Sequence, residues 1–126
     1  MESILTSIKK LLGIAENNKD FDTDIVIYIN TVFSDLTSIG VGPSEGFSIE
    51  DEYSIWNDFI SEADAKKLNN VKTYMYLRVK LVFDPPTNSS VLTSMQTQAD
   101  KLEWKLNVAV ESPYSNGEEE NQNGEV

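Results

Sequence analysis

Residues 88–111 read NSSVLTSMQTQADKLEWKLNVAVE. Leu92, Met95, Ala99, Leu102, Leu106 and Ala109 recur at spacings of 3, 4, 3, 4 and 3. That is a heptad seam, the pattern of a long helix lying along another at a shallow angle. Asn88 offers an N-cap oxygen, and Pro113, which cannot continue the backbone ladder, ends the helix. Trp104 and Val108 fall on the side opposite the seam. A chain built on such a helix must supply at least one more helix of similar length to cover it.

The segment just upstream does so. Ser61 with Asp64 three residues later resembles a capping box. Leu68, Val71, Met75, Val79 and Val82 then form one helical stripe, with Tyr74, Leu77 and Leu81 as a second beside it. A helix apolar around so much of its circumference is the central one of its bundle. Pro85 drives Asp84 out of helical geometry, so this helix ends at Phe83 or Asp84.

Further upstream, residues 23–39 allow two readings. Ile25, Ile27 and Ile29 alternate like a strand. However, Ile25, Ile29, Val32, Phe33, Leu36 and Ile39 continue a helical stripe well beyond strand length. Asp22 is a good N-cap, Asp24 suits the positive helix start and Gly40 supplies a stop, which together predict a helix. Ile4, Leu5, Ile8, Leu11 and Leu12 share one face of a first helix over 2–12, capped by Gly13. Between residues 40 and 60, Gly40, Gly42, Pro43 and Gly46 break any helix. Phe47–Ile49 and Tyr53–Trp56 are short β-prone pieces around Glu50-Asp51-Glu52, so a small hairpin is one outcome. This stretch holds too many apolar groups to be disordered and must pack on something. The expected fold is all-α: a four-helix bundle with a long loop or small β-hairpin between helices two and three and a long C-terminal helix.

The chain has 126 residues, with 21 acidic and 10 basic side chains, no histidine and no cysteine. The length suits one domain. Lack of His and Cys excludes a disulfide framework, a thiol nucleophile, a Cys/His zinc site and a histidine base. The first residues lack the basic start and apolar run of a signal peptide. Apolar runs such as Ile25–Ile29 are far short of the roughly 20 residues that span a membrane. A soluble domain is therefore expected. The net charge of −11 is unevenly spread. Residues 16–64 hold twelve acids against Lys19 alone, residues 65–111 carry +3, and the last fifteen residues carry −4. Overall the chain repels phosphate, which disfavours tight DNA binding by charge neutralisation.

Several patterns can be weighed as chemistry. Asp20-x-Asp22-x-Asp24 resembles the start of a calcium loop, but Ile25 and Thr31 stand where that loop needs Gly and Glu; helix capping accounts for the acids. Glu50-Asp51-Glu52 with Asp58 supplies neighbouring carboxylates of the kind glycoside hydrolysis uses, yet a small bundle offers little cleft to hold a sugar. Gly40-Val41-Gly42-Pro43 follows a helix and lacks the lysine of a phosphate loop. Lys72, Tyr76 and Lys80 share a face but make too small a patch for nucleic acid. Trp104 with Val108 is the strongest interaction signal, since exposed aromatics concentrate at interface hot spots; alternatively, the long loop folds over Trp104 and buries it. Lys101, Lys105, Phe47 and Trp56 complete the set of candidate interface residues. No cofactor or metal site emerges.

Val41-Gly42-Pro43-Ser44-Glu45-Gly46-Phe47 resembles a stretch of small prophage proteins of Gram-positive bacteria. So do residues 71–86, VKTYMYLRVKLVFDPP, and Glu103-Trp104-Lys105-Leu106-Asn107. Those proteins are the head–tail connector (adaptor) family of long-tailed double-stranded DNA phages. The resemblance spans about residues 1–111 and rests on overall similarity, since none of these motifs carries chemistry. It implies a helical connector domain over 1–111; residues 112–126 lie outside it, and their Asn-, Gly- and Glu-rich composition predicts a disordered acidic tail. It further implies a non-enzymatic neck protein, located in the virion neck and in the host cytoplasm during assembly. Implied partners are the portal protein, a neck stopper or tail-completion protein, and further copies in a ring, dodecameric on the portal. Double-stranded DNA would pass through without specific binding.

A structural connector is the favoured function. An acidic regulator or DNA mimic acting on a host protein is the alternative, and a carboxylate hydrolase has least support. Within the connector reading, the charge asymmetry suggests head-to-tail association. Asp22 and Asp24 of one copy would face Lys101 and Lys105 of the next, with Trp104 supplying apolar contact. The tail, with Tyr114 and Val126 its only large apolar side chains, is expected to be dispensable for folding. Deleting residues 112–126 should leave thermal stability within about 1 kcal/mol, or several degrees for a domain of this size; a larger loss would show that the tail packs.

Overall fold

The computed structural model describes residues 2–61 and 64–111. The expectation for 112–126, and with it the division of the chain at residue 111, lies outside the described residues. Among the described residues five helices follow in order: α1 (Ile4–Leu11), α2 (Asp22–Ser38), α3 (Trp56–Phe59), α4 (Ala65–Phe83) and α5 (Ser89–Glu111). The central helix is α4, which packs against α1, α2 and α5, as its double stripe predicts. Leu68, Val71, Tyr74, Met75, Leu77 and Val79 are all buried. Val82 is not: it is 58% exposed, at the last turn of the stripe.

Helix α1 begins where Ser3 Oγ accepts from Thr6 N at 3.2 Å. Ile4, Leu5 and Ile8 enter the core, while Leu11, at the outer edge of the same stripe, is exposed. The inward position goes instead to Lys9, only 2% exposed. Its ammonium donates to Glu16 O at 3.1 Å and Asn18 O at 2.6 Å, and it pairs with Asp22 Oδ1 at 2.8 Å. Two of the ammonium protons are donated to carbonyls, and the Asp22 carboxylate offsets the charge as an ion pair. Asp22 is thus the first residue of α2 rather than its N-cap, a position taken by Phe21. A distant lysine, seen only after folding, claims the carboxylate that local capping rules assign to the helix end.

Helix α2 buries Ile25, Ile29, Val32, Phe33 and Leu36 and leaves Ile27 exposed, as a helix requires and a strand reading does not. It ends in a Schellman motif: Gly40 N donates to Thr37 O at 3.0 Å and Val41 N to Leu36 O at 2.9 Å. The left-handed backbone this needs, φ 86°, is open to Gly40 without the penalty a Cβ would bring.

The connection from α2 onward is a packed loop, not a hairpin. The Asn30 side chain meets Ile49 from both sides, Nδ2 donating to Ile49 O at 2.9 Å and Oδ1 accepting from Ile49 N at 2.8 Å. The Ile49 groups that a neighbouring strand would have paired are satisfied by one amide. Farther on, Ile4 N donates to Ser54 O and Trp56 N to Glu2 O, leaving an isolated antiparallel bridge between Ser3 and Ile55. The β-prone piece ending at Trp56 turns instead into α3. There Asp58 Oδ2 accepts from Ile55 N at 3.0 Å, and Trp56 Nε1 donates to Ser7 Oγ at 2.9 Å. Phe33, Phe47 and Phe59 stack with centroids 4.6–5.3 Å apart.

Helix α4 is capped by Asp64, whose Oδ1 accepts from Lys67 N; Ser61, the expected cap, lies three residues too early. Asp84 forms the C-cap ahead of Pro85. At α5, Asn88 Oδ1 accepts from both Ser90 N and Val91 N, as expected. Along the seam, Ala99 and Leu106 are fully buried, whereas Leu102 is half-buried against the core. Helix α5 lies mainly along α4, so its seam is sealed from one side.

Two stability measurements test this packing. Leu106→Ala should lower the free energy of unfolding by about 2–5 kcal/mol in urea titration, and Leu102→Ala by less. Lys9→Met should cost about 3–5 kcal/mol, because it strands a carboxylate and two carbonyls. A Lys9→Met midpoint equal to that of the parent would mean the ammonium is not needed to order residues 14–22.

Candidate functional site

The outer face of α5 is the most distinctive surface of the molecule. Trp104 is 66% exposed, so the long loop does not cover it. Around it, Thr97, Asp100, Lys101 and Lys105 line a shallow open depression, and Val108 continues the face one turn on, also exposed. A second depression, lined by Lys66, Lys67, Asn70 and Lys105, joins the start of α4 to the same face.

The direction of this face is set from beneath. Arg78 on α4 reaches Asp100 Oδ1 and Glu103 Oε1, each at 3.0 Å. Tyr74 donates its hydroxyl proton to Glu103 Oε1 at 2.9 Å, and the Arg78 guanidinium lies 5.2 Å from the Tyr74 ring centroid. Burial pushes the Tyr74 hydroxyl above its ordinary range. Burial opposes the charge on Arg78, but hydrogen bonds to Tyr74, Asp100 and Glu103 outweigh it and hold the guanidinium more firmly protonated. With Glu103 clasped inward, its neighbour Trp104 must point out.

The basic side chains divide into two groups. Lys9, Lys19, Lys72, Arg78 and Lys80 each have a carboxylate partner. Lys10, Lys66, Lys67, Lys101 and Lys105 have none among the described residues; Lys10 lies on α1, and the other four gather around Trp104 and the start of α4. A chain of net charge −11 thus keeps its uncompensated cations largely in one place. The other candidates go elsewhere. Trp56 is a core residue, 1% exposed, and Phe47 is half-buried in the aromatic cluster, so neither offers an outer contact of this kind. Lys72 pairs with Glu2 at 2.9 Å and Lys80 with Asp84 at 2.8 Å, which dissolves the Lys72–Tyr76–Lys80 patch.

The contacts that the carboxylates of the loop make are local or long. Asp51 accepts from Tyr53 N, Asp58 from Ile55 N, and Glu52 approaches Lys19 at 3.5 Å. They do not oppose one another across a cleft. No group of three or more His, Cys, Asp or Glu that could hold a metal occurs among the described residues, and none of the described helices is long and apolar enough to cross a membrane. One surface escaped the reading of the sequence. Leu5, Val26, Ile27, Glu50, Asp51 and Glu52 form a groove between the first half of α2 and the loop pinned to it, with Ile27 56% exposed at its edge. Its signal was present, because Ile27 lies off the stripe that the other isoleucines of α2 share.

No curated protein and no solved structure matches the chain. A family model described as phage connector protein matches residues 4–113, which covers every helix and both surfaces just described. The chain therefore belongs to the phage connector protein family.

Proposed function

We propose that the protein is a structural component of the virion neck. In this reading it forms a ring between portal and tail, extends the DNA channel and supports head–tail joining. The observation that carries self-association is the α5 face: an exposed tryptophan set among uncompensated lysines, on a chain whose remaining surface is strongly acidic. Exposed ion pairs contribute only about 0–1 kcal/mol each. Trp104 and Val108 would supply most of the affinity, and charge would set orientation and register. The role is architectural rather than enzymatic. Its partners are further copies of the chain, dodecameric on the portal, together with the portal itself and a neck stopper or tail-completion protein. Double-stranded DNA passes through without specific binding, helped by the acidic surface. Assembly takes place in the host cytoplasm.

Negative-stain microscopy at high protein concentration, alone and with the portal, should show rings. A chain that stays monomeric in both and instead displaces DNA from a host protein would favour an acidic regulator. Trp104→Ala should leave the melting temperature nearly unchanged, since the side chain is mostly in water. It should weaken portal-templated ring assembly by at least about 30-fold, as expected of a hot-spot residue. Undiminished assembly would remove this face from the interface.

A further inference from the structure

The α5 face requires a counter-surface with an apolar centre and an acidic border. The groove on α2 has both. Ile27 stands exposed at its edge, with half-buried Val26 beside it, and Glu50, Asp51 and Glu52 line its loop side. Tyr53, 79% exposed, follows them at the loop tip. These acids are available to an outside cation. Glu50 has no ion pair among the described residues, Asp51 accepts only from a backbone N–H, and Glu52 meets Lys19 at the long distance of 3.5 Å. Asp22 also lines the groove, but its carboxylate is already paired with buried Lys9, so it is not the acidic contact that the charge distribution suggests.

We infer that the Trp104–Lys101–Lys105 face of one copy docks in the Ile27–Glu50–Asp51 groove of a second copy. The inference rests on the self-association proposed above and assigns both of its halves. The two surfaces share no residue: no part of α5 lines the groove, and no part of α1, α2 or the loop lines the Trp104 depression. One copy can therefore use both at once. Such a heterologous contact continues from copy to copy and closes into a ring when its rotation permits. Both surfaces are held in advance. The groove wall is fixed by the Asn30–Ile49 pair, and the opposing face by the clasp of Arg78 and Tyr74 on Glu103. The ordering left to oppose association is then mainly that of the exposed side chains themselves.

The chain has no cysteine, which makes directed cross-linking free of background. The full-length variant Lys105→Cys/Asp51→Cys, treated at high protein concentration with a short bis-maleimide, should give a ladder of covalent oligomers. Each single variant should stay monomeric, and so should Lys105→Cys/Glu45→Cys, which places the second thiol elsewhere on the surface. The ladder should vanish when Trp104→Ala is added. A ladder without closed rings in the microscope would uphold the docking and overturn the ring. Rings of the parent protein without a 105–51 ladder would overturn the docking and leave the ring standing. Dimers from Lys105→Cys alone would show a two-fold contact and refute the docking. Duplex DNA retained through Lys66, Lys67, Lys101 and Lys105, with no ladder, would assign the basic face to DNA instead.

Discussion

A lysine that turns into the protein carries much of the architecture. Lys9 gathers Glu16 O, Asn18 O and Asp22 Oδ1 around one ammonium, and so decides where the α1–α2 connection ends and where α2 begins. The start of α2 sets which side chains face inward along it. That phase puts Ile29 and Phe33 in the core and Ile27 outside. It also aims Asn30 at Ile49. The loop so anchored delivers Trp56 to Ser7 on α1, two residues from where the sequence of contacts started. The N-terminal half is thus a closed circuit in which each polar contact fixes the position of the next. A buried charge with partners is weak support for net stability, but removing one of its members leaves the others uncompensated.

The C-terminal half obeys a simpler rule. Helix α5 has one neighbour of comparable length, α4, and the contact combines a seam of small and medium apolar residues with a polar clasp at its flank. Arg78, Tyr74, Asp100 and Glu103 fix rotation about the helix axis, which apolar packing alone specifies loosely. An outer helix bound on one side has a free opposite side, and here that side carries Trp104, Val108 and the uncompensated lysines.

The sequence revealed features governed by periodicity and missed those governed by distant partners. The seam of 88–111, the Asn88 cap, the end of α4 at Phe83 and the central position of α4 were all legible, because each depends on residues a few places apart. Asp22 was misassigned to a cap because Lys9, thirteen residues earlier, is invisible to local rules. Ser61 was preferred to Asp64 because Ser61 with an acid three residues on has capping-box spacing, whereas Asp64, followed at that distance by Lys67, caps with its own carboxylate alone. The 40–60 stretch was read for its β propensity, which holds when a strand partner exists; the Asn30 amide and one bridge to Ser3 took that partner's place. Trp56 was offered as a contact residue on composition, and burial beside Ser7 settled it otherwise. Trp104 stood equally between exposure and cover by the loop, a choice only the tertiary path of residues 41–55 could make.

The substitution of a side-chain amide for a strand has a consequence for how the protein avoids mistakes. Residues 47–49 and 53–55 are rich in groups that pair readily with any extended chain, and an open ladder there would be an adhesive edge. By pairing Ile49 within the chain through Asn30, the fold denies that edge to neighbours. A protein of the connector family, which joins other virion proteins, gains as much from contacts it cannot make as from those it can. Fibrillar stacking is a rival outcome at high local concentration, and one asparagine removes part of its template.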